Sequence, residues 1–153
     1  MKGLYKLIEN GNYEMICCQS QTEFFDIISD ELLKKNLVEP TFREAIEKRE
    51  IQFPTGLVTS SYNVALNHVD SIHVKTNALF IYKLEKQIEY HQMDDPDSLL
   101  PVDMVFVLLI KDHDLQVKAI SEVCTIWSNE KIMMELRFLK VNQLLLMMIQ
   151  DMF

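Results

Sequence analysis

A chain of 153 residues with 48% hydrophobic side chains suits one domain with a sizeable core and excludes intrinsic disorder. A formal charge of −8 and the absence of any basic run exclude a nucleic-acid partner, because neutralising phosphates takes Lys and Arg. Apolar runs of about eight residues or fewer fall short of a membrane-spanning helix, and the opening MKGLYKLIENGN has no signal-peptide core, so no membrane insertion is expected.

Residues 1–19 carry no decisive period, although Tyr13–Cys18 suits a short first strand. Ser20-Gln-Thr-Glu23 is a capping-box pattern, and Phe24, Phe25, Ile27, Ile28, Leu32 and Leu33 follow at helical spacing; both predict a helix over 21–35. Pro40 leads into a second such pattern, Thr41-Phe-Arg-Glu44, which predicts a helix over 41–50 ending at Arg49-Glu50. Phe53-Pro-Thr-Gly56 reads as a specified turn, with Pro54 fixing one dihedral and Gly56 supplying a conformation closed to other residues. Val64–His68 is the next strand, and residues 76–84 another, rich in aromatic and β-branched types. Residues 91–101 read as a polar loop. Met104–Ile110 is continuously apolar, as a central strand buried on both faces would be. Asp112 or Asp114 caps a helix over about 114–127; Ser128-Asn129 begins another, and Asn142 a last one reaching Phe153. The apolar surface of that last helix exceeds one stripe; it either packs on the sheet or contributes to a homodimer contact. Strands interleaved with helices imply an α/β fold, a single-domain layered sandwich over residues 1–153 with a mixed β-sheet flanked by helices.

Cys17, Cys18 and Cys124 have no metal spacing and cannot all pair within one chain, so they read as free thiols in a reducing cytoplasm. No Gly-rich phosphate loop is present, so neither a nucleotide nor another cofactor is expected. The chemistry concentrates at His68. Val64, Leu66 and His68 share one parity of the strand; Ala65, Asn67 and Val69 share the other. The Pro-Thr-Gly turn is able to bring Arg49 back over the strand end, beside an imidazole that is unprotonated near neutral pH and hence a nucleophile. A guanidinium is the natural partner of a planar, multi-oxygen anion such as a phosphoryl group. His73 is either an exposed loop histidine or a functional one that donates to phosphoryl oxygen or orients His68. Asp70 could fix an imidazole tautomer but would repel phosphate. Thr55 either donates its hydroxyl to the phosphoryl group or shapes the turn. His68, Asp70 and His73 match no standard zinc motif, so no metal is expected.

These residues also carry a resemblance. Arg49-Glu50, Pro54-Thr55-Gly56-Leu57, Val64-Ala65-Leu66-Asn67-His68, Asp70 and His73-Val74 stand in the order seen in the enzyme IIA component of the bacterial phosphoenolpyruvate:sugar phosphotransferase system. The chain resembles its fructose/mannitol superfamily, and the galactitol-type branch most. The likeness is densest over residues 40–84 and extends weakly over most of the chain. It implies that His68 accepts a phosphoryl group from phospho-HPr and passes it to a cysteine of enzyme IIB. The sugar or polyol is then phosphorylated during entry through the membrane component IIC. Arg49 and His73 would stabilise the phosphoryl group. Gln116 stands where the mannitol branch carries a second histidine, leaving His73 as the supporting imidazole. Asn67 departs from the pattern, which has proline there. That departure motivates the rival expectation of a regulatory or interaction protein that kept the fold and altered the relay. A metal-dependent hydrolase is a third, and bound metal would reveal it.

Overall fold

The apolar run from Met104 lies in the middle strand of a five-stranded sheet. A computed structural model describes residues 2–138. Within them the order is α1 (Lys2–Asn10), β1 (Asn12–Ile16), α2 (Gln21–Lys34), α3 (Phe42–Gln52), β2 (Leu57–Val58), β3 (Asn63–His68), β4 (Ala78–His91), β5 (Leu99–Leu109), α4 (Gln116–Trp127) and α5 (Glu130–Phe138). The strand order is β1-β4-β5-β3-β2. β1 runs parallel to β4 and β3 parallel to β5, whereas β4–β5 and β2–β3 are antiparallel. The sheet is therefore mixed, as expected, and helices cover both faces. α1, α4 and α5 pack on Val64, Leu66, Phe106 and Leu108; α2 and α3 pack on Ala65, Val69, Val105 and Val107. The predicted parity of β3 holds, because successive strand residues face opposite layers. The predicted last helix, with its alternatives of packing on the sheet or contributing to a dimer contact, lies outside the described residues.

Several local expectations need correction. α1 is a helix where no decisive period was visible. Its buried Leu4, Leu7 and Ile8 stand at helical spacing, but three apolar residues in so short a segment are a weak signal. Gly11 ends it, and a Cβ there would lie 1.8 Å from the Leu79 carbonyl oxygen. Gly11→Ala is therefore expected to cost about 2 kcal/mol or more through overpacking, read as a fall of roughly 4–8 °C in the thermal midpoint. The hairpin β4–β5 is also longer than the predicted strands. The polar triplet Glu85-Lys86-Gln87 suggested an end at Leu84, but these residues face solvent at a register break between Lys83 and Ile88. Past the break the in–out alternation resumes with Ile88 and Tyr90 buried. The outer hairpin meets the loop after α3, where Gly56 bridges Gln92. The predicted polar loop accordingly shrinks to residues 92–98.

Gly56 does not use the left-handed conformation expected of it; no described glycine has positive φ. It is needed for close approach, because a Cβ would stand 2.7 Å from the His91 carbonyl oxygen. Ser20 caps α2 as predicted, accepting from the Glu23 N–H at 3.1 Å. The matching pattern at Thr41 makes no side-chain cap, because the Thr41 hydroxyl is engaged elsewhere. Asp112 caps the 3-10 turn His113–Leu115 that leads into α4, and Asn129 caps α5 through the Ile132 N–H at 3.0 Å.

Candidate phosphoryl-transfer site

β3 and β5 run parallel, so His68 stands at the carboxyl end of a central strand, opposite Leu108. In open α/β sheets ligand sites collect at such ends. The His68 ring is half-buried, and its Nδ1 is enclosed in the protein. Burial, then the Arg49 charge, push its pKa down to about 4, against a main-chain hydrogen bond at Leu66 and the Asp70 carboxylate, which pull the other way. At neutral pH the ring is therefore uncharged, with a free lone pair.

Arg49 lies in the last turn of α3. Its guanidinium stacks over the Phe53 ring, 5.5 Å from the centroid, and stands 3.8 Å from Asp70 Oδ1. With Asp70 74% exposed, that ion pair is loose and screened, which leaves the guanidinium able to exchange it for another anion. Val69 and Asp70, the two residues after His68, line a cleft of about 270 Å³ together with Lys48, Arg49, Gln52 and His73. Two cations at its wall favour an anionic occupant.

His73 closes the 3-10 turn Ser71–His73, and its Nδ1 lies 2.7 Å from the Thr41 hydroxyl. That contact orients the ring, and nothing in the local pattern pointed to Thr41, 32 residues earlier. Lys48 likewise was visible only as a helix-end charge. Gln116, at the start of α4, donates from Nε2 to the Val69 carbonyl oxygen at 2.9 Å, bracing the chain just past His68. Its amide thereby reaches the strand end from the face opposite α3.

Thr55 is turned inward rather than towards the cleft. Its N–H and hydroxyl both donate to the buried Glu50 carboxylate, at 2.9 and 3.0 Å, and its hydroxyl oxygen accepts from the Leu66 N–H at 3.3 Å. Asn67, 1% exposed, donates from Nδ2 to Glu50 Oε2 at 3.1 Å and accepts from the Tyr90 hydroxyl at 2.6 Å. Burial raises the Glu50 carboxyl to about 7, against the downward pull of the Thr55 hydrogen bonds and Arg49. Among the described residues no cluster of three or more His, Cys, Asp or Glu is placed to hold a metal ion. Nor is any described helix long and apolar enough to cross a membrane.

Residues 12–152 match the model of the phosphoenolpyruvate-dependent sugar phosphotransferase system family, EIIA 2. The chain belongs to this EIIA family. The galactitol-specific EIIA component of Escherichia coli K12 is 30% identical over 98 residues, 64% of this chain and 65% of the relative. The match thus spans less than two thirds of the curated relative's length. Among solved structures, nitrogen regulatory protein IIA-Ntr from Neisseria meningitidis superposes with a TM-score of 0.71 at 18% identity, covering 94% of this chain and 97% of that one. Enzyme IIA of the mannitol system from Escherichia coli, in complex with phosphorylated enzyme IIB, gives 0.67 at 17% identity over 90% and 94% of the two chains. These two likenesses describe the EIIA fold, and the expected galactitol-type affinity agrees with the curated relative.

Proposed function

We propose that this EIIA chain is a single-domain cytoplasmic phosphocarrier in which His68 takes a phosphoryl group from phospho-HPr and hands it to a cysteine of enzyme IIB. The observation that carries the reading is the uncharged imidazole of His68 at a strand end beside the Arg49 guanidinium and its anion-favouring cleft. With Nδ1 enclosed, Nε2 is the attacking atom. Its lone pair forms a bond to phosphorus as the P–N bond to the HPr imidazole breaks, and the departing ring keeps that electron pair. The proton of His68 stays on Nδ1. In the second step the IIB thiolate attacks phosphorus and the P–Nε2 bond breaks, returning His68 to its neutral form. Arg49 stabilises the charge on the phosphoryl oxygens through both transfers, and His73 donates to one of them. The sugar or polyol is phosphorylated downstream, during passage through IIC.

Two partners used by turns need a shared, weak docking rim. Ile51, Phe53 and Ile72, which are 74%, 62% and 76% exposed, flank Arg49 and His73 in the chain and supply apolar surface suited to brief contacts. The regulatory reading finds no support at Asn67, whose side chain is turned into the interior and leaves the His68 ring unobstructed.

Intact-mass spectrometry at mildly alkaline pH, after incubation with phosphoenolpyruvate, enzyme I and HPr, tests the proposal. One acid-labile phosphoryl group, mapped to His68, is the expected result. No phosphoryl group on the protein, with the donor proteins demonstrably active, would overturn it.

A further inference from the structure

We infer that the buried tie from Glu50 to Asn67, continued to Tyr90, is the device that holds Arg49 and His68 at their working separation. The inference rests on the phosphocarrier reading for its purpose, though not for its geometry. Arg49 and Glu50 are consecutive, and so are Asn67 and His68. The Glu50 carboxylate and the Asn67 amide meet at 3.1 Å. One hydrogen bond inside the protein thus links the immediate neighbours of Arg49 and His68. Consecutive Cα atoms lie about 3.8 Å apart, so fixing one neighbour fixes the other's backbone closely.

The direct contacts of the two reacting residues do not provide that precision. Arg49 is a long, many-rotamer side chain whose pairing with Asp70 is loose at 3.8 Å. The tie is rigid because Glu50, Thr55 and Asn67 each make two or more hydrogen bonds. Glu50 receives the Thr55 N–H and hydroxyl as well as Asn67; Thr55 in turn receives the Leu66 N–H, which anchors β3 one residue before Asn67. Tyr90, fully buried, donates to Asn67 Oδ1 and so ties the amide to β4. α3, the turn, β3 and β4 are thereby joined in one connected set of hydrogen bonds.

Stability alone does not account for such a set. Replacing a buried ionisable group by a well-packed hydrophobic one is often neutral or stabilising. Here the carboxyl is kept, next to the residues whose separation decides the chemistry, where misplacement by about 1 Å costs roughly a hundredfold in rate. Asn67 and Tyr90 are accordingly positioning residues: neither reaches the phosphoryl group.

Three variants of the full chain test this: Asn67→Leu, Tyr90→Phe and Glu50→Gln. In Glu50→Gln the Asn67 amide can turn over, its oxygen accepting from the new amide and its NH2 donating to the Tyr90 oxygen, so the three residues stay linked although the Tyr90 O–H gives up Asn67 as its acceptor. Two quantities are measured. One is the titration of the His68 ring by NMR between pH 4 and 8, and the other the rate of phosphoryl uptake from phospho-HPr, at saturating and at limiting donor. In Asn67→Leu the His68 midpoint should rise from about 4 towards an ordinary imidazole value. Its saturating rate should fall roughly tenfold or more, with the KM for phospho-HPr little changed. Glu50→Gln should keep both quantities near wild type. Should Asn67→Leu not fold, Tyr90→Phe carries the test, because it is isosteric and removes one O–H; its expected shifts have the same direction and about a third of the size. A folded Asn67→Leu or Tyr90→Phe with wild-type titration and saturating rate would overturn the inference, as would a loss confined to KM. A His68 midpoint that rises in the variants of a wild type taking up no phosphoryl group would uphold the tie and sink the phosphocarrier reading.

Discussion

Arg49→Ala is expected to take up phosphoryl groups roughly 10²–10³ times more slowly than the native chain, and His68→Ala not at all. The two losses have different causes. Without His68 no nitrogen remains at the strand end to form the P–N bond. Without Arg49 the nucleophile remains, and even gains basicity, since the guanidinium is one of the two influences that push the imidazole down to about 4. What disappears is the fixed positive charge facing the phosphoryl oxygens, in a site half-shielded from water where such charge is worth more than in solution. Arg49→Lys should recover only part of the rate, because an ammonium is a point charge and lacks the planar fork that binds two oxygens together. Thermal midpoints of both Arg49 variants should stay close to the native value, since the Arg49–Asp70 pair is long and exposed. The measurement is the time course of phosphoryl uptake from phospho-HPr by intact mass. A rate for Arg49→Ala within tenfold of native would remove Arg49 from the transfer step.

Glu50→Gln should become more stable relative to the native chain as pH rises, by on the order of 3 kcal/mol between pH 4.5 and pH 8. The folded carboxyl sits at about 7 against an ordinary 4.5, chiefly because burial penalises its charged form. A folded-state value raised above the unfolded one means that the folded protein holds the proton more tightly. The associated stability is complete below pH 4.5 and is lost as pH climbs through 7. Glutamine has no proton to lose, so it escapes that loss. His68 works in the opposite sense: its folded value of about 4 lies below the ordinary 6.5, so its share of stability is present above 6.5 and lost as pH falls through 4. The two dependences overlap and partly cancel in the native chain, which is why the difference between native and Glu50→Gln, not the native curve alone, isolates the carboxyl. Urea unfolding of both proteins at several pH values provides it. A constant difference across that range would mean that Glu50 ionises as an ordinary exposed carboxylate.

What could be read along the chain and what could not divides by distance. The α2 period, the cap at Ser20, the apolar run of β5, the parity of β3 and the order of Arg49, Pro54-Thr55-Gly56 and His68 are local patterns. Each is written within a few consecutive residues, by steric and solvation rules that act on neighbours. Those patterns determined the α/β class and the family, and they singled out His68 as the nucleophile proposed above. α1 and the outer halves of β4 and β5 were not legible, because three apolar residues or a polar triplet carry too little local preference to outweigh the tertiary packing that decided them. The support of the site was beyond local reading altogether. Thr41 meets His73 across 32 residues, Asn67 meets Glu50 across 17 and Tyr90 across 23, and Gln116 meets Val69 across 47. A lone asparagine in a strand does not announce its partners. Only the folded sheet, which lays the end of α3, the turn after it and the β4–β5 hairpin against one buried position, decides that this amide braces the neighbour of His68.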